Sequence, residues 1–190
     1  MPGEPEALSL LALLLLTSAR TPARTGDDGN PVTLADQDRT RWNQAAITEG
    51  SAWLAEAVTR SGGIAGPYQI QAHLAAAHST APSWQDTDWD QIVSLYDLLA
   101  SITPSPVVAL NRAVAVTERD GPQAGLAALK TITGLEHSHL WHAALADNLD
   151  RLGRTSDAAA ELHTAMTLAP SQAEQHLLQN RLHTTRPEPG

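Results

Sequence analysis

The sequence predicts an all-α fold, and three features of the 190-residue chain indicate it. Hydrophobic residues make up 42% of the chain, yet phenylalanine is absent, and alanine and leucine dominate the apolar content. Both residues favour helices, whereas the aromatic residues that favour strands amount to only 4%. Apolar residues also recur at three- and four-residue steps, which is the spacing of one helix face. We therefore expect helices packed against helices.

The first helix is expected over residues 5–20, because a proline in the first turn of a helix costs no hydrogen bond. Its apolar run at 8–16 is shorter than the roughly 20 residues that cross a bilayer. The run also follows Glu4 and Glu6, whereas a secretory leader begins with positive residues. We interpret it as a buried helix. A turn-rich linker is predicted over residues 21–31.

Three further helices are predicted before Pro104, over residues of about 38–60, 66–78 and 86–101. Gly62 and Gly63 are expected to end the first of them. Either Asp86 or Thr87 can cap the last of them with its side-chain oxygen. Trp42 is expected to belong to the core.

An internal repeat of helical hairpins is predicted beyond Pro104. In the copy over residues 139–170, Gly153 makes the turn and Pro170 ends the second helix. The facing sides of this hairpin carry Leu145, Ala146, Leu149, Ala158, Leu162 and Ala165. A shift of about 33 residues places Ala113 on Ala146 and Gly125 on Ala158. A helix over about 172–182 is expected to cap this stack.

The repeat spacing resembles the tetratricopeptide repeat, in which small residues sit where two helices cross. Hairpins of this kind stack into a solenoid, because one pair cannot bury its apolar face alone. We therefore expect a tetratricopeptide-like solenoid of about eight helices. Its domains are predicted as an N-terminal helical part over residues 1–104, a repeat pair with a capping helix over 105–184, and a flexible tail over 185–190.

Four segments, in this order and ahead of the hairpin at 139–170, resemble one family. They are residues 36–42 (DQDRTRW), 66–72 (GPYQIQA), 86–89 (DTDW) and 105–114 (SPVVALNRAV). Together they resemble the C-terminal extension of a group of extracytoplasmic-function (ECF) RNA polymerase sigma factors. The resemblance implies a regulatory domain that acts in the cytoplasm through contacts with the sigma core regions or RNA polymerase. A tetratricopeptide-like adaptor that binds an unrelated protein or peptide is the alternative.

Direct nucleic-acid binding is not expected of this chain. It carries 12 basic residues against 21 acidic ones and a net charge of −9, whereas nucleic-acid binders present a basic surface. Neither sigma region 2 nor the helix-turn-helix of region 4 is recognisable in the sequence. We therefore expect that the chain alone does not bind promoter DNA. The absence of cysteine fits a reducing cytoplasm.

The candidate partner contacts in the four segments are Asp36, Asp38, Arg39, Arg41, Tyr68, Gln69, Gln71, Asp88, Trp89, Asn111 and Arg112. Structural roles are possible for each group. The acids and arginines before the second helix can cap it and pair locally, and the phenol and amides after Pro67 can tie down a loop. Asn111 and Arg112 can form a buried network between helices or line the concave face of the solenoid.

No catalytic, cofactor or metal site is expected. The chain has no cysteine, no nucleophile elbow and no phosphate-binding glycine loop. An EF-hand-like spacing of aspartates begins at Asp86, but Gln91 stands where the calcium loop needs glycine, so helix capping is the better interpretation. His139 and His142 are one helical turn apart, yet only Glu136 is a nearby carboxylate. They are interpreted as a polar helix start. A small-molecule or metal sensor is a less favoured alternative, and an enzyme is less favoured still.

Overall fold

A computed structural model describes residues 4–27 and 29–185, and it confirms the all-α fold. Nine α-helices lie in these residues, rather than about eight. They are α1 (Pro5–Ser18), α2 (Gln44–Arg60), α3 (Pro67–Thr80), α4 (Trp89–Ile102), α5 (Pro106–Asp120), α6 (Pro122–Lys130), α7 (His139–Arg151), α8 (Thr155–Leu168) and α9 (Gln172–Thr185). Residues 186–190 of the expected tail lie outside the described residues, and Thr185 belongs to α9. The chain divides after Pro104 into two compact units, Met1–Pro104 and Ser105–Gly190.

The start of α2 differs from the expected one near Asp38. The α-helix begins at Gln44, because the side chain of Asn43 accepts a hydrogen bond from the N–H of Ala46 at 3.1 Å. Asp38 instead caps a short 3-10 turn, Arg39–Arg41, and accepts from the N–H of Thr40 at 2.9 Å. The C-terminal end is as expected, since Gly62 and Gly63 have φ angles of 62° and 87° that other residues rarely adopt.

The cap of α4 is Asp88, not Asp86 or Thr87. Its carboxylate accepts from the N–H of Gln91 at 2.9 Å. Asp86 and Thr87 instead bond to Ser83 and close the preceding loop. The sequence predicted a cap in the correct turn, but Asp86, Thr87 and Asp88 can all serve as caps, so the pattern alone did not identify the residue that does.

The core of the N-terminal unit forms where α1 packs against α2 and α3, while α3 also packs against α4. Trp42 is 3% exposed and confirms its expected place in this core. A Cβ on Gly50 of α2 would lie 2.9 Å from Cγ of Leu16, so α1 and α2 approach closely there. The apolar run in α1 is only partly buried, because Leu11 and Leu14 are 39% and 57% exposed.

In the C-terminal unit each helix from α5 to α9 packs against the next one. The alanines that were predicted at the helix crossings are buried, since Ala113, Ala146 and Ala158 are at most 1% exposed. Gly121 and Gly153 make the two turns, with φ angles of 90° and 73°. These helices therefore stack as consecutive hairpins, with small residues at the crossings.

A membrane-spanning helix is not found among the described residues, because none of their helices combines the necessary length and apolar character.

Candidate functional site

Arg39 lies at the C-terminal end of α3. Its Nη1 atom donates hydrogen bonds to the carbonyl oxygens of His78 at 2.7 Å and Ala81 at 2.8 Å. Its guanidinium carbon lies 4.6 Å from the centre of the Trp42 ring. The last carbonyls of a helix have no donor of their own, so a cation there both satisfies them and complements the helix dipole. Arg39 therefore fastens the loop before α2 to α3.

Aromatic side chains surround the same helix end. The imidazole of His78 stacks on Trp84 with ring centres 6.1 Å apart and meets the edge of Trp89 at 5.5 Å. The two indole rings are 4.6 Å apart. Burial, together with repulsion from Arg20 and Arg39, lowers the pKa of His78 to about 4. The structure thus brings two predicted contact residues, Arg39 and Trp89, into contact with His78.

Five side chains near this helix end keep a buried polar atom without a hydrogen-bond partner. We call these five residues the arginine cluster. The unpartnered atoms are Nε of Arg20, Nη2 of Arg39, Nε1 of Trp42, Nδ1 of His78 and Oγ of Ser79. The cluster is assembled by packing, since Ala19 and Trp42 lie in one apolar cluster with Ala75. Burial and repulsion from Arg24 and Arg39 lower the pKa of Arg20. Such a concentration of unpartnered buried atoms is unusual, because proteins satisfy most buried polar groups.

Arg20, Ser79 and the role of His78 were not recognisable from the sequence. Only one local signal was present, which is an arginine at the end of an otherwise apolar helix run. His78 and Ser79 occupy the last turn of a helix that carries other polar residues, so nothing in their spacing distinguishes them. Their proximity to Arg20 follows from the packing of α1 on α3.

The N-terminal end of α3 holds a second set of predicted contacts. The carboxylate of Glu6, in α1, accepts from the backbone N–H groups of Tyr68 at 2.9 Å and Gln69 at 3.1 Å. Gly66 leaves room for that carboxylate, because a Cβ there would lie 2.5 Å from Oε1 of Glu6. A carboxylate at a helix N-terminus satisfies free N–H groups and complements the helix dipole. The GPYQ segment thus has a structural role in receiving Glu6.

The side chains of this segment differ in availability. Tyr68 is 43% exposed, whereas Gln69 is 2% exposed and its buried Oε1 has no partner. Gln71 donates to the carbonyl of Pro67 at 3.2 Å. A helix of 14 residues is about 20 Å long, so these residues and the arginine cluster lie at opposite ends of α3. The predicted contacts of the N-terminal unit therefore do not form one site.

The remaining charged candidates of that unit make local contacts. Asp36 accepts from the hydroxyl of Thr33 at 2.6 Å, and Arg41 lies 3.7 Å from the exposed carboxylate of Asp27. Hydrogen bonds from Thr40 lower the pKa of Asp38. All three candidates are exposed, so their polar contacts leave them accessible to a partner.

The prediction of a buried network at Asn111 and Arg112 is wrong for Asn111, because this residue is exposed. Arg112 is half-buried. The buried polar contact of this unit is instead the hydrogen bond from the hydroxyl of Thr117 to Oδ1 of Asn148 at 3.0 Å. Both residues are 2% exposed, and their bond joins α5 to α7. Gly125 makes room for it, since a Cβ there would lie 2.6 Å from Oδ1 of Asn148.

A cavity of about 350 Å³ lies among α6, α7 and α8. Apolar atoms of Leu126, Trp141, Leu145 and Leu149 contribute to its wall, and charged residues, including Lys130, complete it. The indole nitrogen of Trp141 donates to a backbone carbonyl of α6 at 3.1 Å, which holds this ring in place. A pocket with apolar walls and a few charges suits a peptide side chain better than an ion.

The histidines at the start of α7 each have a carboxylate that the sequence analysis did not foresee. His142 lies 2.6 Å from Glu161, and His139 lies 3.5 Å from Glu174. Both partners come from later helices, so their proximity is not visible in the local sequence. No group of three metal-ligating side chains is found within residues 4–27 and 29–185.

Comparison with known proteins gives two matches. Residues 1–58 match a family model described as "Family of unknown function (DUF6596)". The chain is 40% identical over 189 residues to a Rhizobium meliloti (strain 1021) protein named "Uncharacterized protein R00370". This match covers 99% of the chain but 44% of the relative, so the chain spans less than half of that protein. No solved structure matches the chain significantly.

Proposed function

We propose that the chain is the regulatory helical domain of an ECF-type RNA polymerase sigma factor and acts through contacts with the sigma core or RNA polymerase. By this proposal it does not bind promoter DNA alone, and it works in the cytoplasm. Its support comes from the four segments that resemble the sigma-factor extension, together with the all-α hairpin fold. The relative of more than twice this length fits a domain that works as part of a larger protein.

The observation that carries the proposal is the uncovered apolar stripe on α1. Leu11 and Leu14 are three residues apart, which places them on one helix face, and they are 39% and 57% exposed. The opposite side of the same helix is core, since Ala12 and Leu16 are fully buried. Contiguous exposed apolar surface is typical of protein contact sites, so this pair of leucines is the candidate contact surface of α1. Under the proposal this stripe receives the sigma core.

The first test is to translate the DNA immediately upstream of the Met1 codon in frame. Sigma regions 2 and 4 without an intervening stop are the expected result. A stop codon with no sigma core encoded nearby would count against the proposal.

The second test measures binding of this chain to a purified sigma core, taken from that upstream frame. Leu14→Lys places a charge in the stripe and is expected to weaken binding about tenfold or more, because an apolar contact would be lost and a charge buried. Ile64→Lys is the matched control, since Ile64 is 82% exposed in the loop after α2. Equal binding by both variants would remove the stripe from the proposal.

The alternative function is a tetratricopeptide-like adaptor for an unrelated peptide, and the cavity among α6, α7 and α8 favours it. The adaptor predicts that a random peptide library selects one sequence pattern, and that Lys130→Glu changes the preferred charge. It also predicts indifference to any sigma core. A chain that binds the sigma core and selects no peptide would exclude this alternative.

A further inference from the structure

The arginine cluster presents hydrogen-bond donors rather than acceptors. The orphaned nitrogens of Arg20, Arg39 and Trp42 can only donate, while His78 and Ser79 can donate or accept. Trp42 is 3% exposed and Ser79 is 6% exposed, so their unpartnered atoms cannot simply turn to bulk water. A group that satisfies several of these donors must supply several acceptors.

The positive charge of the cluster also favours a ligand that supplies hydrogen-bond acceptors. Arg20 and Arg39 repel each other closely enough to lower the pKa of Arg20, and both lower the pKa of His78. Neither arginine forms an ion pair in the described part of the chain. Asp86 interacts with Arg39 at a distance and Tyr96 with Arg20, but Asp86 is exposed and bonded to Ser83. Among the described residues the nearest counter-charge is thus an exposed carboxylate, and two half-buried cations that repel each other would be stabilised by an anion that contacts both.

We propose that the arginine cluster binds a small divalent oxyanion of the phosphate or sulfate type. Such an anion has only acceptor oxygens and two negative charges, so it matches three donor-only nitrogens and two guanidinium groups. Arg39 is already oriented for this role, because its Nη1 atom is fixed by two carbonyl oxygens and its Nη2 atom is left over. Arg20, Arg39 and His78 are half-buried rather than buried, so the cluster lies close to the protein surface. The inference does not depend on the sigma-factor proposal.

Titration of the whole chain with sodium sulfate and sodium phosphate tests the site. The expected result is a saturable rise in the melting temperature of the N-terminal unit, compared with sodium chloride at the same ionic strength. The indole N–H resonance of Trp42 is expected to shift along the same binding curve. The pKa of His78, followed by NMR, is expected to rise when the anion is bound, because a nearby negative charge favours the imidazolium.

Arg20→Gln is the informative variant, because Arg20 has no hydrogen bond in the described residues that its loss would break. It is expected to raise the apparent dissociation constant about tenfold or more, since a charge-assisted hydrogen bond is lost. Arg60→Gln is the control. Arg60 is an exposed residue of α2 that pairs with Glu56, and its replacement removes the same charge from the same unit.

Two outcomes would overturn the proposal. Sulfate and phosphate could stabilise the chain no more than chloride does, or Arg20→Gln and Arg60→Gln could weaken the effect equally. The orphaned donors would then be satisfied by water, and the stabilisation would be a general effect of ions on an acidic protein. Loss of the effect in Arg20→Gln alone, with a folded protein by circular dichroism, supports the site.

Discussion

Individual residues at the two ends of α3 show how this protein satisfies helix termini. At the N-terminal end the carboxylate of Glu6 accepts from two backbone N–H groups, and at the C-terminal end Arg39 donates to two carbonyl oxygens. Both side chains come from distant parts of the chain. Glu6 lies 62 residues before Tyr68, and Arg39 lies 39 residues before His78. Each one agrees in sign with the helix dipole, so the same contact satisfies hydrogen bonds and electrostatics.

A substitution at Gly66 tests the contact with Glu6. Gly66→Ala is expected to destabilise the N-terminal unit by about 0.5–2 kcal/mol, because the new methyl group displaces the carboxylate of Glu6 and α3 loses that cap. Glu6→Ala removes that carboxylate. Gly66→Ala should therefore destabilise the Glu6→Ala variant much less than it destabilises the unaltered chain. Urea unfolding of the four proteins of this cycle measures the coupling. Additive effects would show that Gly66 is not needed for the carboxylate.

The pKa of His78 predicts a pH dependence of stability. This pKa is lowered to about 4 in the folded protein by burial and by repulsion from Arg20 and Arg39, whereas in the unfolded chain it takes the ordinary histidine value of 6.5. The unfolded state therefore binds more protons between these values, and the free energy of unfolding falls as pH drops from 6.5 to 4. The His78 contribution is expected to be on the order of 2 kcal/mol, with some allowance for partial exposure.

Comparison of His78→Gln with the unaltered chain isolates this contribution. Tryptophan fluorescence in urea follows it, because four of the five tryptophans lie before Pro104. The variant should lose part of the slope between pH 6.5 and 4 and keep part of it, since burial also lowers the pKa of His73. His163→Gln, an exposed control, should keep the full slope. An unchanged slope in His78→Gln would contradict the role of burial.

At the scale of helices, small residues determine how closely pairs approach. Gly50 lets α2 approach Leu16 of α1, and Gly125 lets α6 approach the polar pair formed by Thr117 and Asn148. Ala146 and Ala158 are 1% and 0% exposed where the helices of the repeat pack. Close crossings leave no room for larger side chains, since protein interiors are packed as densely as organic crystals. Close packing at these small residues thus stabilises the helix pairs in addition to the burial of apolar surface.

Large substitutions at these crossings test the repeat register. Ala146→Trp and Ala158→Trp are each expected to destabilise the C-terminal unit by about 1–3 kcal/mol, because the added ring overfills a packed contact. Ala127→Trp serves as the control, since Ala127 of α6 is exposed and should tolerate the ring. Thermal melts followed by circular dichroism measure all three. Silent effects at both buried positions would mean that the register is wrong.

At the scale of the whole molecule, the chain consists of two units that each have their own apolar core. The N-terminal unit contains the core around Leu16, Trp42 and Ile47, and the C-terminal unit contains the core around Leu129, Leu145 and Leu149. Each unit is about 100 residues or somewhat less, a size at which a single core can support folding. The division after Pro104 falls in a segment with two prolines that interrupt helices.

Separate expression of residues 1–104 and 105–190 tests this division. Each fragment is expected to be helical by circular dichroism and to melt cooperatively, because the core residues it needs are its own. Dispersed amide resonances in a two-dimensional NMR spectrum of each fragment would give independent confirmation. A fragment that stays unfolded under native conditions would show that the corresponding core is not sufficient.

The sequence by itself determined the helical fold class, the glycine turns and the buried alanines of the C-terminal helices. These follow from interactions within a few residues, such as proline in the first turn, glycine at positive φ at Gly62, Gly121 and Gly153, and alanine recurring at the crossings. It also determined that Trp42 belongs to the core. Helix and turn preferences depend on residues that are close in sequence, so the sequence alone can predict them.

Tertiary structure alone decided which polar groups meet. The arrival of Glu6 at α3, the arginine cluster, and the bond between Thr117 and Asn148 all join residues more than 30 positions apart. It also left Leu11 and Leu14 exposed on a helix that the sequence predicts as buried, and it placed Asn111 at the surface. The physical reason is that burial and polar pairing depend on which helix faces pack together, and many packings share the same local pattern.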